Sequence, residues 1–263
     1  MNEYPPASDP SPPPSGAGQV PQPTPPPQSV RVEIPRSAPY VTYTIIAITV
    51  LFYILQLLST YTFGRDILIL YGARINEAIF AGELWRFLTP ALLHGSLPHI
   101  AFNMYALLAF GTGLERHFGH GRFFLLYVLG AFTGNVASFL FSPGYSIGAS
   151  TAVFGLLGAE AIFLIQNRKV FPGQFRSSIG NIVFIAAINL FIIGSLPGID
   201  NWGHIGGLIG GLMFTSFAGP LWDFEGVYPT YYPVDRRSFR GVLIGAATVV
   251  LIFGALAMWG LVR

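Results

Sequence analysis

Four polar residues lie inside apolar stretches of the sequence, where hydrogen-bonding and ionisable groups are costly and are therefore functional candidates. They are His99, Asn103, Ser150 and His204. An imidazole beside a serine hydroxyl can take the hydroxyl proton and turn the serine into a nucleophile. His99 and Asn103 are four residues apart, which places them on one face of a helix. The four residues predict a hydrolytic site assembled from several helices.

The glycines around His204 predict which helix brings the serine to it. Small residues recur every four positions over 203–211, so one face of this helix has almost no side chains and favours a close helix contact. The apolar run that begins at Ser150 carries small residues of its own and is the predicted partner. Phe154, one turn after Ser150, is expected to stack on the His204 ring.

The sequence predicts a Ser–His dyad, because no acidic residue is well placed to complete a triad. Asp200 lies one turn before His204, at a helix entrance, where it is expected to cap the helix. Acyl transfer also needs hydrogen-bond donors for the oxyanion of the tetrahedral intermediate. The backbone N–H groups near Ser150, the Asn103 amide and the His99 imidazole are the candidates.

The composition predicts a membrane protein without a cofactor. Of 263 residues, 52% are hydrophobic and 10% charged, against about 25% charged in an average soluble domain, which excludes an ordinary soluble enzyme. A net charge of +2 is too small for nucleic-acid binding. The absence of cysteine excludes disulfides and thiolate metal sites. Histidine spacing fits no closed zinc shell and no HExxH motif occurs, so we expect no metal.

Apolar runs predict seven membrane helices, since a helix needs about 20 apolar residues to cross a bilayer. The fourth run is short and follows the irregular segment 141–149. Non-helical backbone at membrane depth is stable only inside protein or beside water. We therefore expect a water-accessible cavity at the start of this helix. The runs are 40–62, 98–115, 121–141, 150–166, 178–196, 201–219 and 239–261.

The chain divides into a tail, a core and one added helix. Proline-rich composition predicts a disordered tail over 1–37. A six-helix core is expected over 38–219, a cytosolic loop over 220–238 and a seventh membrane helix over 239–263. With the tail in the cytosol, ten of the 14 Lys and Arg residues lie on the cytosolic side, as the positive-inside rule requires. This orientation puts the four polar residues in the outer half of the bilayer.

Short motifs between residues 80 and 215 resemble the rhomboid family of intramembrane serine proteases. They are the Gly148-x-Ser150 sequence, His204 ahead of a glycine-rich helix, the His99-x-x-x-Asn103 spacing, and Trp85-Arg86 in the first long loop. The resemblance implies that Ser150 is the nucleophile and His204 the general base. It implies oxyanion-stabilising roles for His99, Asn103 and Gly148. Supporting roles are implied for Trp85 and Arg86, and expected for Phe154.

The resemblance also implies an all-α polytopic bundle, with a six-helix core and an additional C-terminal transmembrane helix. Rhomboid proteases cleave transmembrane proteins that enter laterally near the second and fifth helices. The implied partners are therefore membrane-protein substrates and the lipid bilayer. With the charge asymmetry, we expect a multi-pass protein in the plasma membrane of a prokaryote, with its N-terminus in the cytosol.

Two alternatives to this interpretation concern the site and the activity. Thr151 stands where the commonest rhomboid motif has glycine, which predicts a bulkier position beside the nucleophile and a narrower site. Catalytically inactive relatives share the fold, so the alternative function is a rhomboid-like protein that binds membrane clients.

Two other classes of membrane protein do not fit the sequence. An aspartyl intramembrane protease is excluded, because all five Asp residues lie outside the predicted spans. A secondary transporter would have repeated halves, and the sequence has no such repeat.

Overall fold

The computed structural model describes residues 36–227 and 229–263, which form a helical bundle with one β-hairpin. The predicted disordered tail, 1–37, lies outside the described residues except for its last two. The α-helices are α1 (Tyr40–Phe63), α2 (Ile67–Gly72), α3 (Asn76–Phe80), α4 (Leu97–Ala106), α5 (Thr112–Phe118), α6 (His120–Phe141), α7 (Ser150–Gln166), α8 (Pro172–Ala187), α9 (Asn201–Ala218) and α10 (Phe239–Val262). The strands are β1 (Trp222–Val227) and β2 (Thr230–Asp235).

Within the described residues, four helices are long and apolar enough to cross a membrane: α1, α6, the segment 175–195 and α10. Two predicted spans are irregular rather than single α-helices. A π-helical segment, Leu107–Gly111, joins α4 to α5, and another, Ile188–Ile192, follows α8. The helix α7 is short, as predicted. The all-α bundle is confirmed.

Glycines bring α6, α7 and α9 into close backbone contact at the centre of the bundle. A Cβ atom added to Gly207 or Gly211 of α9 would overlap backbone carbonyl oxygens of α7. One added to Gly206 or Gly210 would overlap α6 instead. The predicted contact between α7 and α9 is therefore confirmed, and the second set of glycines serves a different neighbour.

A buried glutamate fixes the start of α1. Both carboxylate oxygens of Glu115 accept backbone N–H groups, from Val41 at 2.8 Å and from Thr42 at 2.7 Å, and the Thr42 hydroxyl also donates to it at 2.7 Å. These N–H groups belong to the first turn of α1, which has no intrahelical acceptors for them. Glu115 therefore connects α5 to α1.

The segment predicted as a cytosolic loop, 220–238, contains the antiparallel hairpin of β1 and β2. Asp235 holds the hairpin to the bundle, because it pairs with Arg122 of α6 at 2.5 Å and accepts the Leu221 N–H at 2.9 Å. The residues of β2 favour strands, but the run is short and contains Pro233, which weakens the sequence signal. For this reason sequence patterns alone indicate a loop.

Short helices and turns fill the long connection between α1 and α4. Two 3₁₀ helices, Leu84–Phe87 and Thr89–Leu92, follow α2 and α3. Arg86 is buried and donates to the carbonyl oxygens of Ala73 at 2.6 Å and Leu70 at 2.9 Å. The Trp85 indole donates to the Tyr71 carbonyl at 3.1 Å. Both residues therefore have contacts that stabilise this loop.

Candidate active site

Ser150 and His204 contact each other across the interface of α7 and α9. The Ser150 Oγ and the His204 Nε2 are 3.0 Å apart, which is hydrogen-bond distance. Ser150 is the first residue of α7, and His204 lies in the first turn of α9, so the two helix starts meet. The glycine contacts allow this approach, because side chains between the helices would separate them.

The ring of His204 is held by an aromatic neighbour and is buried. The Phe154 ring stacks on it, with centroids 4.3 Å apart and an interplanar angle of 7°. Among the described residues, the buried Nδ1 atom has no hydrogen-bond partner. No described carboxylate therefore orients this imidazole directly, and its position is held by the hydrogen bond to Ser150 and the stacked ring of Phe154.

Backbone N–H groups at the start of α7 are available beside the serine hydroxyl. In α7 the first helical hydrogen bond runs from the Val153 N–H to the Ala149 carbonyl, at 3.0 Å, so the preceding N–H groups have no acceptor in the helix. Such groups, with the positive end of the helix dipole, stabilise negative charge. They can serve as oxyanion donors.

Gly148 leaves room for the imidazole of His99. Its φ of +126° is a conformation that side chains rarely adopt, and an added Cβ would lie 2.7 Å from the His99 Nε2. The same Cβ position is 3.6 Å from the Ser150 Oγ. The glycine thus brings His99 toward the nucleophile from the second span.

Asn103 is buried on the same helix as His99. Its Nδ2 donates to the His99 carbonyl oxygen at 3.0 Å, within α4. This bond uses one of the two amide hydrogens and leaves the other for a ligand. Asn103 therefore lies one turn after His99 on α4, with its amide oriented by its own helix.

His94 is a neighbour of His99 for which the sequence predicts no role in the site. Its ring contacts that of His99, with centroids 5.0 Å apart, and its Nε2 lies 3.4 Å from the Ala149 N–H. Burial, reinforced by His99, lowers the pKa of His94 to about 3, so the ring is neutral at physiological pH. A neutral imidazole can accept the Ala149 N–H. In the sequence, the only indication that His94 lies near the site is its position five residues before His99.

The side chain of Thr151 packs between neighbouring helices. It is buried in a notch between Gly134 of α6 and Gly203 of α9. A Cβ added to Gly134 would lie 2.5 Å from the Thr151 Cβ. The extra bulk is accommodated by glycines on neighbouring helices, which the local motif cannot show.

Asp200 has the capping role expected from the sequence. Its carboxylate accepts the Gly203 N–H at 3.0 Å, at the start of α9. Among the described residues, no group of three or more His, Cys, Asp or Glu side chains is arranged to hold a metal ion.

Comparison with known proteins places this chain in a family. Residues 81–220, more than half of the chain, match the model of the Rhomboid domain. The chain is 44% identical to Rhomboid protease GluP of Bacillus subtilis (strain 168), over 82% of this chain and 40% of that protein. It is 35% identical to RHOMBOID-like protein 9, chloroplastic, of Arabidopsis thaliana, over 58% of this chain and 35% of the relative.

A further Arabidopsis thaliana relative, RHOMBOID-like protein 1, is 39% identical over 53% of this chain and 36% of its own length. The chain spans about two fifths of the length of these curated relatives. The match to the Rhomboid domain includes His99, Asn103, Ser150 and His204. The chain is an integral membrane protein that belongs to the rhomboid family.

Proposed function

We propose that this chain is an intramembrane serine endopeptidase that hydrolyses peptide bonds in or near transmembrane segments of other membrane proteins. The observation that carries the proposal is the 3.0 Å contact between the Ser150 Oγ and the His204 Nε2. The name of the relative GluP, a rhomboid protease, supports the same activity.

In the proposed reaction, His204 accepts the Ser150 proton while the Oγ attacks the scissile carbonyl carbon. The tetrahedral intermediate collapses when the imidazolium gives this proton to the leaving amine, and an ester between Ser150 and the substrate remains. Water then attacks the ester, with His204 again as the base, and Ser150 regains its proton as the acid product leaves. Neither step requires a cofactor.

Oxyanion stabilisation is assigned to the N–H groups at the start of α7, with His99 and Asn103 on the adjacent helix. A helix start supplies fixed donors that need no reorganisation during the reaction. Gly148 supports this arrangement, because its missing side chain lets the His99 ring approach. Phe154 fixes the ring plane of the base, and Trp85 and Arg86 stabilise the loop between α1 and α4.

Transmembrane substrates are proposed to reach the site laterally, between the second and fifth spans. Large apolar side chains are exposed on these spans, including Phe102 and Tyr105 on α4 and Phe184 and Phe191 on the fifth span. Such residues are compatible with lipid or with an apolar substrate helix. The charge asymmetry supports a prokaryotic plasma membrane location with the N-terminus in the cytosol.

The proposal is tested by incubating the purified protein with a panel of single-span reporter proteins in liposomes and mapping any cut by mass spectrometry. We expect a cut in or near the reporter span, abolished in Ser150→Ala and in His204→Ala. The matched control is Ser216→Ala, since this serine donates only to its own helix, to the Leu212 carbonyl at 2.8 Å. Reporters that bind without being cut would instead support the inactive, client-binding alternative.

A further inference from the structure

Asp200 connects the segment that leads to Ser150 with the helix that carries His204, and we propose that it is a positioning residue for this pair. The inference rests on the proposed function, because it concerns the same site. Asp200 does not contact the reacting atoms, and its effect is exerted through the placement of the two helix starts.

The carboxylate of Asp200 accepts several hydrogen bonds besides the one that caps α9. Ser138 of α6 donates its hydroxyl to Oδ2, Ser142 donates to Oδ1 at 2.6 Å, and Ser146 supplies a third hydroxyl. Ser142 and Ser146 belong to the irregular segment 142–149 that ends directly before Ser150. One side chain at the start of α9 therefore holds this segment at two points.

A buried cation also contacts this segment. Arg74, from the loop between α1 and α4, exchanges both backbone hydrogen bonds with Ser146, at 2.9 and 3.0 Å. Its Nη1 donates to the Ser142 carbonyl at 3.3 Å, and its side chain is 1% exposed. The guanidinium attracts the Asp200 carboxylate electrostatically. The segment is thus fixed between opposite charges.

The carboxylate is ionised at neutral pH. Burial on its own raises the pKa of Asp200, but the bonds from the three serine hydroxyls and the Gly203 N–H outweigh it and lower the pKa below the ordinary value. A helix cap requires only the bond from Gly203. The three hydroxyls therefore indicate a role beyond capping.

The distance between Ser150 and His204 depends on this arrangement. The glycine contacts fix α7 against α9 only from Ser150 onward, because the preceding residues are not helical. Without the serine contacts, the segment 142–149 would gain freedom directly beside the nucleophile. A displacement of about 1 Å can cost about 10²-fold in rate.

The test measures the rate at which a fluorophosphonate labels Ser150 in purified full-length protein, recording both the rate constant and the labelled fraction at completion. Asp200→Ser keeps an oxygen that can cap α9 but is too short to reach the three hydroxyls. We expect its rate constant to fall by about 10- to 100-fold while the final labelled fraction stays at the wild-type level. The matched control, Asp235→Ser, removes a carboxylate with several partners at the hairpin and leaves the rate constant unchanged.

An unchanged rate constant in Asp200→Ser overturns the inference. This holds even if the final labelled fraction falls, because a lower fraction with an unchanged rate constant means only that less of the protein is folded. Ser142→Ala provides a milder variant that retains the cap. Its rate constant should fall by about fivefold, equivalent to one hydrogen bond, and an unchanged value also contradicts the inference.

A wild-type protein that takes no label overturns the proposed function together with this inference. If the wild type is labelled and the variants are unaffected, the inference alone is overturned.

Discussion

At the scale of single residues, the candidate site depends on how one imidazole is held. His204 meets Ser150 through Nε2 and Phe154 through its ring face, while no described side chain bonds its Nδ1. A triad would use a carboxylate to fix the tautomer and the ring orientation. Here stacking and close packing fix the ring plane. Asp200 does not touch the imidazole, and in the inference above it positions the starts of α7 and α9 through its bonds to the Gly203 N–H and to the serine hydroxyls.

Asn103 is expected to stabilise the transition state rather than to bind the substrate. Replacing it with alanine should lower kcat by about 10²- to 10³-fold with little change in KM, because the lost donor would act on the oxyanion. Steady-state cleavage of a reporter peptide measures both constants. Asn189→Ala is the control, since its amide makes the equivalent bond within its own helix, to the Ile185 carbonyl at 2.8 Å. A rise in KM alone would make Asn103 a binding residue.

The ionised carboxylate of Asp200 makes a stability contribution that depends on pH. Since its pKa is lower in the folded protein, the contribution is present above the ordinary aspartate pKa of about 3.9 and is lost as the pH falls through the folded-state value. The difference in melting temperature between wild type and Asp200→Ser should therefore narrow below about pH 4. Thermal unfolding in detergent at a series of pH values measures it. A constant or growing difference would show that the carboxylate is not the ionised acceptor described here.

At the scale of helices, the glycine pattern could be interpreted from the sequence because its four-residue period defines one helix face. That period predicts the contact of α9 with α7, and the structure confirms it. The notch that receives Thr151 could not be foreseen, since Gly134 lies on a different helix and only the three-helix packing brings it there. The hairpin and the two π-helical segments likewise depend on tertiary contacts that leave little periodic signal.

The close contact of α9 with α7 should tolerate no methyl group. Gly207→Ala would place a Cβ against the Thr151 carbonyl and is expected to cost about 1–3 kcal/mol or more in the free energy of unfolding. In the control, Gly254→Ala, the added Cβ meets nothing within 4 Å, so stability should stay equal or rise by up to about 1 kcal/mol. Denaturant titration in mixed micelles compares the two. Equal stability of both variants would contradict the packing.

At the scale of the whole molecule, hydropathy predicts seven spans, and four described helices are long and apolar enough to cross a membrane. The candidate site residues were predicted from polar groups within those spans. The role of His94 was not, because a histidine in a loop is expected to be solvated unless the fold buries it. The cluster around Asp200 also requires the folded chain, since its serines and Arg74 come from three separate segments. Sequence patterns thus identify the reactive groups, and packing identifies what holds them.

The proposed topology places the α1–α4 connection outside and the hairpin in the cytosol. The chain has no cysteine, so single cysteines can be introduced without background. In intact spheroplasts, a membrane-impermeant maleimide should label Arg65→Cys and should label Val227→Cys only after permeabilisation. Both positions are exposed, the first just after α1 and the second at the end of β1. The reverse pattern would invert the predicted orientation.

The covalent adduct formed by a fluorophosphonate tests the central claim, that Ser150 is a nucleophile activated by His204, most directly. Peptide mapping of the wild-type protein should locate a single phosphonylated residue at Ser150, and the adduct should be absent from His204→Ala under the same conditions while that variant remains folded. An adduct at another serine, or equal labelling of Ser150 without His204, would contradict the account.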